Sequence, residues 1–194
     1  MSDRHLIVVD GIDGSGKSYL TRRLLDGCVA RDVRAVLQRV DDFRRPLDWE
    51  QIPDETAAYW EQYYDFATLA AQVDRFLAVG PADVLVIEGV FPLRVPATAA
   101  ATVVYLDTSA AEARRRIIAR DMPKGRPHAE VERRIDRRYV PNQQRYLREF
   151  KPRDRAHLII DNEDPAAPRL VLDRLADRPL VVRRALAGVI PSAR

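Results

Sequence analysis

The sequence predicts an α/β protein whose parallel sheet is covered on both faces by helices. Short apolar, β-branched runs recur along the chain and alternate with segments of helical pattern. Such alternation of strand and helix is typical of a three-layer fold built on a parallel sheet. A glycine-rich stretch, "GIDGSGKS", joins the first apolar run to the first helical segment. The length of 194 residues suits a single domain with one layered core, so we treat 1–194 as one unit.

Five apolar runs are predicted to be buried strands of one parallel sheet. They are "LIVV" (6–9), "VRAVLQRV" (33–40), "VLVIEG" (84–89), "TVVYLD" (102–107) and "HLIID" (157–161). Helical patterns occupy 17–30, 54–79 with a break near Asp65, 109–121, and 129–150 with Pro141 inside. The tail, 165–194, has helical spacing in its first half, and its second half has no clear pattern.

Composition and charge narrow the class of protein. The chain is 46% hydrophobic and 31% charged, and no apolar run approaches the ~20 residues that a membrane helix needs. The N-terminal apolar stretch is too short for a signal peptide. We therefore expect a cytoplasmic protein without membrane association. A net charge of +3 is weak support for nucleic-acid binding, and the single cysteine, Cys28, is expected to be a small core residue.

The stretch "GIDGSGKS" fits the phosphate-loop pattern G-x-x-x-x-G-K-[ST], between a predicted strand and a predicted helix. Its glycines allow a tight turn whose backbone N–H groups surround phosphate oxygens at a helix N-terminus. In this pattern Lys17 reaches the β- and γ-phosphates, and the Ser18 hydroxyl binds Mg²⁺. The predicted nucleotide-binding residues here are Gly11, Ile12, Asp13, Gly14, Ser15, Gly16, Lys17, Ser18 and Tyr19.

Carboxylates at two strand ends favour phosphoryl transfer to a small molecule. The chain lacks the N-K-x-D signature that reads guanine, and it is short for a motor or helicase core. Asp41 and Asp42 follow the second predicted strand, where a parallel sheet opens its ligand crevice. Asp41 there could accept the proton of an attacking hydroxyl or help to hold Mg²⁺. Glu88 ends a buried strand beside the loop and is predicted to be a magnesium ligand.

The order of motifs resembles the uridine kinase family of phosphate-loop kinases. "GIDGSGKS", "VDDF", "VIEG", "YLDTSAAEARRRIIARDMPKGRP" and a "DN" after the last strand follow one another over residues 5–165. The resemblance implies a five-stranded parallel sheet with flanking helices and a mobile basic lid, roughly 121–128. It also implies that Asp41 is the general base and that Ser18 and Glu88 hold magnesium. The implied cationic lid residues are Arg116, Arg120, Lys124 and Arg126.

The lid assignment has independent physical support. Arg116 and Arg120 are four residues apart and share a helix face, whereas Lys124 and Arg126 follow in the loop "PKGRP". A basic loop that closes over the γ-phosphate excludes water and neutralises the charge of the transition state. We predict catalytic roles for Lys17, Asp41, Arg120 and Arg126, and nucleotide binding by Arg116 and Lys124.

The acceptor site is predicted around the second strand end and an aromatic segment. Uridine kinases usually carry an aromatic residue after the "DxF" step, but this chain has Arg44 and Arg45, so an anionic acceptor comes into consideration. In "ETAAYWEQYYDFATL" helical spacing puts Tyr59, Tyr63 and Phe66 on one face and Trp60 and Tyr64 on another. One stripe would be core and the other would line the acceptor pocket. The predicted acceptor-binding residues are Asp42, Arg44, Tyr64 and Asp65.

The sequence thus predicts an ATP- and Mg²⁺-dependent kinase that phosphorylates a hydroxyl of a nucleoside-like small molecule. A nucleoside monophosphate kinase, or a kinase of another anionic molecule, is the alternative within enzymes. A nucleotide- or nucleic-acid-binding regulator is the alternative from another class, although acidic residues interspersed among the arginines of 114–138 argue against it. The choice between ATP and GTP, and whether the chain forms a homo-oligomer, stay open.

Overall fold

The computed structural model describes residues 4–190, which form a six-stranded sheet with helices on both faces. The strand order is β2-β3-β1-β4-β5-β6, in which the first five strands are parallel and β6 is antiparallel to β5. The strands are β1 (His5–Gly11), β2 (Ala35–Arg39), β3 (Val84–Glu88), β4 (Thr102–Asp107), β5 (Leu158–Asp161) and β6 (Arg169–Asp173). The predicted three-layer fold is confirmed, but the sheet has six strands instead of the predicted five, because the antiparallel β6 is added at its edge.

The α-helices are α1 (Lys17–Val29), α2 (Glu55–Glu61), α3 (Phe66–Val79), α4 (Ala110–Asp121), α5 (His128–Arg134), α6 (Val140–Phe150) and α7 (Leu180–Leu186). Short 3₁₀ turns follow β2 at Val40–Phe43 and follow α4 at Met122–Lys124. No helix within residues 4–190 is long and apolar enough to cross a membrane.

Two hydrophobic cores lie on opposite faces of the sheet. Successive side chains of a strand point to opposite faces, so Leu6 and Val8 of β1 enter one core while Ile7 and Val9 enter the other. The first core also contains apolar residues of α2, α3 and α6, and the second contains those of α1 and α7. Cys28 is buried in the second core, as predicted.

The tail departs from the helical prediction in its first half. Residues Arg169–Asp173 form β6, which pairs with β5 at the edge of the sheet. Its apolar residues Leu170 and Val171 are exposed, so the strand lacks the continuous buried pattern of β1, β3, β4 and β5. Strand β2, at the other edge of the sheet, was predicted to be buried but is only partly so. The second half of the tail forms α7, whose residues Val182, Ala185 and Leu186 pack into the core of α1.

A single turn of π-helix joins α5 to α6 at Ile135–Tyr139, just before Pro141. Proline lacks the N–H that would bond to the carbonyl four residues earlier. The Arg137 carbonyl oxygen instead accepts a hydrogen bond of 2.6 Å from the Thr56 hydroxyl on α2. Asn142 donates to the carbonyl oxygens of Thr56 at 3.0 Å and Arg138 at 2.8 Å. The predicted helix at 129–150 is therefore two helices whose junction is held by α2.

The predicted break near Asp65 separates α2 from α3, and it rearranges the aromatic residues. Because α2 ends at Glu61, Tyr63 and Tyr64 are not helical, and the two helical stripes expected from spacing do not form. The backbone of Tyr64 pairs with Arg44 in an isolated antiparallel bridge. This pairing brings the tyrosines beside the residues that follow β2.

Candidate active site

The glycine loop has the strained backbone that its sequence requires. Gly11, Gly14 and Gly16 have φ values of +148°, +82° and +98°. A Cβ atom on Gly14 would lie 2.5 Å from the Ala113 carbonyl oxygen of α4. Only glycine, which has no Cβ, avoids this clash. The loop ends at Lys17, the first residue of α1, so its backbone amides lie at the N-terminus of that helix.

Side chains that follow β5 and lie on α4 make hydrogen bonds that hold the glycine loop in place. The Asn162 side-chain amide donates to the Ser15 carbonyl oxygen at 2.7 Å. Arg116 donates to the carbonyl oxygens of Asn162 at 2.8 Å and Glu163 at 2.9 Å, and more weakly to that of Gly14 at 3.4 Å. The half-buried Arg116 thus ties α4, the loop and the end of β5 together. The sequence marked Asn162 only through the "DN" pattern, without a structural role.

Lys17 is folded back onto the loop that it follows. Its Nζ donates to the carbonyl oxygens of Gly11 at 2.9 Å and Ile12 at 2.8 Å, and the residue is buried. The ammonium group is therefore held inside the curve of the loop. This is the position from which it can contact the β- and γ-phosphates that the motif predicts.

Ser18 and Glu88 contact each other across the first turn of α1. The Ser18 hydroxyl donates to Glu88 Oε1 at 2.9 Å, and Glu88 is buried at the end of β3. Burial raises the pKa of Glu88, although Lys17 and the Ser18 hydrogen bond oppose the rise. Together with Asp41 these oxygens fit Mg²⁺, which is usually held by one or two carboxylates plus substrate phosphates and water.

Asp41 lies on the 3₁₀ turn after β2 and is exposed. Its Oδ2 is 2.6 Å from Nη2 of Arg44, three residues later. The Arg44 guanidinium also lies 5.9 Å from the centre of the Tyr63 ring. The predicted base and the predicted anion-binding arginine are therefore direct partners.

The basic lid is organised around one buried carboxylate, Asp121, at the end of α4. Its Oδ1 lies 2.9 Å from Arg120 Nε, 2.8 Å from Lys124 Nζ and 4.0 Å from Arg126 Nη1. Burial would raise the pKa of Asp121, but hydrogen bonds from Arg120 and Lys124 outweigh it and lower the pKa to about 2. Arg120 also contacts Asp13 of the glycine loop at 3.2 Å. Sequence reasoning selected the three cations and missed Asp121.

A cavity of about 300 Å³ adjoins the glycine loop, and we call it the donor cavity after the role predicted for its residues. It is lined by Asp13, Gly14, Gly16, Lys17, Ser18, Tyr19, Asp41, Glu88, Gly89, Val90, Arg116 and Arg120. Every one of these except Gly89 and Val90 belongs to the predicted site. Tyr19 is 65% exposed, so its ring stands at the mouth of this cavity.

A second cavity, of about 360 Å³, lies between the lid and the aromatic segment, and we call it the acceptor cavity after the role predicted for this region. It is lined by Asp13, Ser18, Asp41, Arg44, Tyr59, Tyr63, Tyr64, Val90, Arg120, Asp121, Lys124, Arg126, Arg134 and Tyr139. Four tyrosines form its walls, and the hydroxyl groups of Tyr59 and Tyr64 are 3.1 Å apart. The sequence left open which aromatic stripe lines the pocket, and Tyr59 and Tyr63 of one stripe and Tyr64 of the other all line this cavity. Arg134 and Tyr139 were not predicted, because they reach the cavity from α5 and the turn after it.

Two predicted acceptor-binding residues do not line this cavity. Asp42 is exposed beside Asp41. Asp65 caps α3 by accepting a hydrogen bond of 3.0 Å from the Thr68 amide, and it pairs with Arg45 at 2.9 Å. These contacts lower the pKa of Asp65 to about 2. In this structure Asp65 fixes a helix end rather than facing the acceptor cavity.

Asp10 is a buried carboxylate beneath the glycine loop. It was not among the residues predicted from the sequence. It is fully buried, and its Oδ1 accepts a hydrogen bond of 2.7 Å from the Gly11 amide. Its Oδ2 accepts one of 2.6 Å from the Tyr146 hydroxyl of α6, which in turn accepts from the Leu93 amide at 3.1 Å. Burial raises the pKa of Asp10 to about 6 against these hydrogen bonds.

Comparison with solved structures shows the same fold in two kinases. A "possible uridine kinase" from Bacillus stearothermophilus is 20% identical, with a TM-score of 0.61 over 82% of this chain and 89% of that one. A "putative fructose transport system kinase" from Silicibacter sp. TM1040 is 21% identical, with a TM-score of 0.59 over 76% of this chain and 86% of that one. No protein-family model and no curated protein matches the sequence. The chain therefore has a phosphate-loop kinase fold.

Proposed function

We propose that the protein transfers the γ-phosphoryl group of ATP, with Mg²⁺, to a hydroxyl of a nucleoside-like small molecule. The two solved structures with the same fold are described as kinases, which supports this class of reaction. The single observation that carries the proposal is the junction of the two cavities. Both are lined by Asp13, Ser18, Asp41, Val90 and Arg120.

This junction brings together the groups that phosphoryl transfer needs. The donor cavity reaches Ser18 from the glycine loop, and the acceptor cavity reaches Asp41 from the tyrosine wall. Catalysis of phosphoryl transfer consists mainly of positioning the two substrates and stabilising charge. Asp41 would accept the hydroxyl proton, while Arg120 would neutralise the charge on the transferring group.

The residues around the glycine loop would bind the donor. Loop amides and Lys17 would bind the phosphate oxygens, which would replace the Gly11 and Ile12 carbonyls as partners of Nζ. Ser18 and Glu88 would hold Mg²⁺, with Asp41 as a further oxygen ligand within reach of the same cavity. When bound, the ion neutralises charge on the β- and γ-phosphates. Among residues 4–190 no three His, Cys, Asp or Glu side chains cluster as a metal cage, which suits an ion that shares substrate oxygens.

The acceptor would be enclosed by tyrosines and closed off by the lid. Aromatic walls with hydroxyl groups offer both apolar contact and hydrogen bonds to a sugar or nucleoside. Lid residues Lys124 and Arg126 border the same cavity, so closure over the donor would also exclude water from the acceptor hydroxyl.

The regulator alternative loses support from the pairing of the arginines. Arg114 contacts Glu132 at 3.2 Å and Asp136 at 2.7 Å, and Arg115 contacts Glu112 at 2.6 Å. A surface that binds a nucleic-acid backbone needs arginines free to contact phosphates. These side chains instead form local ion pairs along α4 and α5.

The experiment that tests the proposal measures ATP consumption with Mg²⁺ against nucleosides, nucleoside monophosphates and small hydroxy acids. We expect turnover with at least one acceptor. Lys17→Met should reduce it by ~10²-fold or more, because the transition-state charge loses its ammonium partner. Lys151→Met is the matched control, since Lys151 is exposed at the C-terminus of α6 and lines neither cavity.

ATP turnover equal in wild type and Lys17→Met would contradict the proposal. So would nucleotide binding without phosphorylation of any acceptor in the panel. Replacing ATP by GTP in the same assay decides the donor.

A further inference from the structure

The acceptor cavity carries more cationic side chains than its own carboxylates balance. The cations are Arg44, Arg120, Lys124, Arg126 and Arg134, and the carboxylates are Asp13, Asp41 and Asp121. Each of the three carboxylates already contacts at least one of these cations. Arg134 also pairs with Glu130, which does not line the cavity, so positive charge exceeds negative charge in the lining of a cavity large enough for a small molecule.

Two of the five cations are separate from the lid. Arg44 follows β2, and Arg134 belongs to α5. Arg134 Nε donates to Glu130 Oε1 at 2.6 Å, which is its only side-chain hydrogen bond within residues 4–190. Its other guanidinium donors remain for a partner in the cavity. The lid cations Arg120, Lys124 and Arg126 all surround Asp121, so Arg44 and Arg134 are the two cations of the cavity that this carboxylate does not hold.

The backbone around Arg44 fixes where its guanidinium can reach. Arg44 pairs with Tyr64, and the next amide, of Arg45, donates to the Tyr63 carbonyl oxygen at 2.8 Å. The side chain therefore starts from a held position between Asp41 and the tyrosine wall. Arg44 and Asp41 both line the cavity, so a ligand there is within reach of the guanidinium.

The ion pair with Arg44 opposes the proposed role of Asp41. At a separation of 2.6 Å from Oδ2, the Arg44 guanidinium occupies a carboxylate oxygen that would otherwise be open to the acceptor hydroxyl. A neutral acceptor has no negative group that could replace Asp41 as the partner of Arg44. An acceptor that carries its own anionic group has one.

We propose that the acceptor carries an anionic group, a phosphate monoester or a carboxylate, which binds Arg44 and Arg134 and thereby releases Asp41. The inference rests on the proposed function and names its substrate class. The released Asp41 carboxylate takes the proton of the acceptor hydroxyl. That oxygen forms a bond to the γ-phosphorus as the bond from the γ-phosphorus to the β–γ bridging oxygen breaks, and ADP leaves.

The test compares acceptors that differ only in the anionic group. Uridine is paired with uridine 5′-monophosphate, and glucose with glucose 6-phosphate and with gluconate, so that phosphate and carboxylate are tested separately. In the wild type, kcat/KM for the best anionic acceptor should exceed that of its neutral partner by ~10- to 100-fold, the range of a charge-assisted hydrogen bond.

Arg44→Gln should bring this ratio to within about threefold of one, because glutamine offers no charge to the anion and leaves Asp41 unpaired. In Arg44→Gln the fall in the ratio of kcat/KM should come mainly from a higher KM for the anionic acceptor. Arg34→Gln is the matched control. Arg34 is exposed, pairs with Asp83 and precedes β2 at the opposite end from Arg44. It should leave the ratio at its wild-type value.

The outcomes separate the inference from the proposed function. Equal use of neutral and anionic acceptors by the wild type, or an unchanged ratio in Arg44→Gln, would overturn the inference while the kinase activity stands. Absence of phosphorylation of every acceptor would overturn both. A wild-type preference that collapses in Arg44→Gln and persists in Arg34→Gln supports the inference.

Discussion

Asp41 occupies the boundary between the two cavities, and its pairing with Arg44 makes it the most consequential single residue of the site. Its neighbour Asp42 has the same chemistry but does not line either cavity. The sequence pattern indicates that both carboxylates follow a strand end. Residue type alone does not show which of the two side chains faces the cavities.

Asp41→Asn should cut turnover by ~10²-fold or more, because the amide cannot accept the proton of the hydroxyl. ATP affinity should change little, since the glycine loop is untouched. Steady-state kinetics and calorimetric nucleotide binding measure the two effects. Asp26→Asn, an exposed position on α1, is the control. Turnover of Asp41→Asn within a few-fold of wild type would remove Asp41 from the role of base.

Asp10 gives a prediction for stability against pH. Its pKa in the folded protein is raised to about 6 by burial, above its ordinary value of 3.8. The folded state therefore holds a proton that the unfolded chain has released, and stability falls as pH rises from about 4 to about 6. The fall attributable to this group is about 3 kcal/mol.

Asp10→Asn does not titrate, and its amide oxygen still accepts from the Gly11 amide. Its amide nitrogen would donate to the Tyr146 oxygen, which reverses the hydrogen bond that Tyr146 donates to Asp10. The difference between variant and wild type in the free energy of unfolding by urea should grow in favour of the variant between about pH 4 and about pH 6. A constant difference across this range would contradict the assignment.

Residue-scale prediction succeeded where a local motif dictates geometry. The glycines, Lys17, Ser18 and Glu88 lie together as expected, because the loop and two adjacent parallel strands fix their relation. It failed for Asp121, whose role depends on three cations that converge after the helix ends.

The lid is an element whose order depends on few contacts. Between α4 and α5 it is held by the cations that surround Asp121, and Gly125 makes its turn with a φ of +78°. Its side chains are mostly exposed, so the segment has little apolar burial of its own. Its conformation should therefore respond to the loss of Asp121 and to bound nucleotide.

Asp121→Asn should speed cleavage by trypsin at the Lys124–Gly125 bond by about tenfold, because the asparagine holds the lid cations less strongly. A non-hydrolysable ATP analogue with Mg²⁺ should slow cleavage of the wild type. Trypsin cleaves poorly before proline, so the Arg126–Pro127 bond resists it. Cleavage at the Lys124–Gly125 bond therefore measures how well the lid is ordered. Equal cleavage rates for wild type and variant would show that Asp121 does not order this segment.

Elements were predicted well where burial gave a strong pattern. Four of the five parallel strands are buried and apolar, β2 at the sheet edge is only partly buried, and each was placed from sequence. Strand β6 was missed because Leu170 and Val171 are exposed at the sheet edge, which removes the buried run that marks a strand. The π turn depends on the Thr56 hydroxyl of a distant helix, a contact that local sequence does not contain.

At the scale of the whole molecule, the tail completes one face of the sheet. Helix α7 packs with α1 over the core that contains Ile7 and Val9. Gly188 approaches Gly27 so closely that a Cβ on Gly188 would lie 3.2 Å from the Gly27 Cα. The tail is therefore part of the fold that holds the helix carrying Lys17.

Leu186→Ala should lower the free energy of unfolding by about 2–5 kcal/mol, because Leu186 is fully buried. Leu180→Ala is the matched control in the same helix, where the side chain is 64% exposed, and should change it by less than about 0.5 kcal/mol. Urea unfolding measures both. Similar values for the two variants would mean that α7 does not support the core.

The shared lining of the two cavities has a thermodynamic consequence. Asp41 and Arg120 border both spaces, so a ligand that repositions either side chain in one cavity alters the binding free energy available in the other. Such coupling is reciprocal: the factor by which nucleotide changes acceptor affinity equals the factor by which acceptor changes nucleotide affinity. In the proposed function the two substrates would therefore be linked at equilibrium before any phosphoryl group moves.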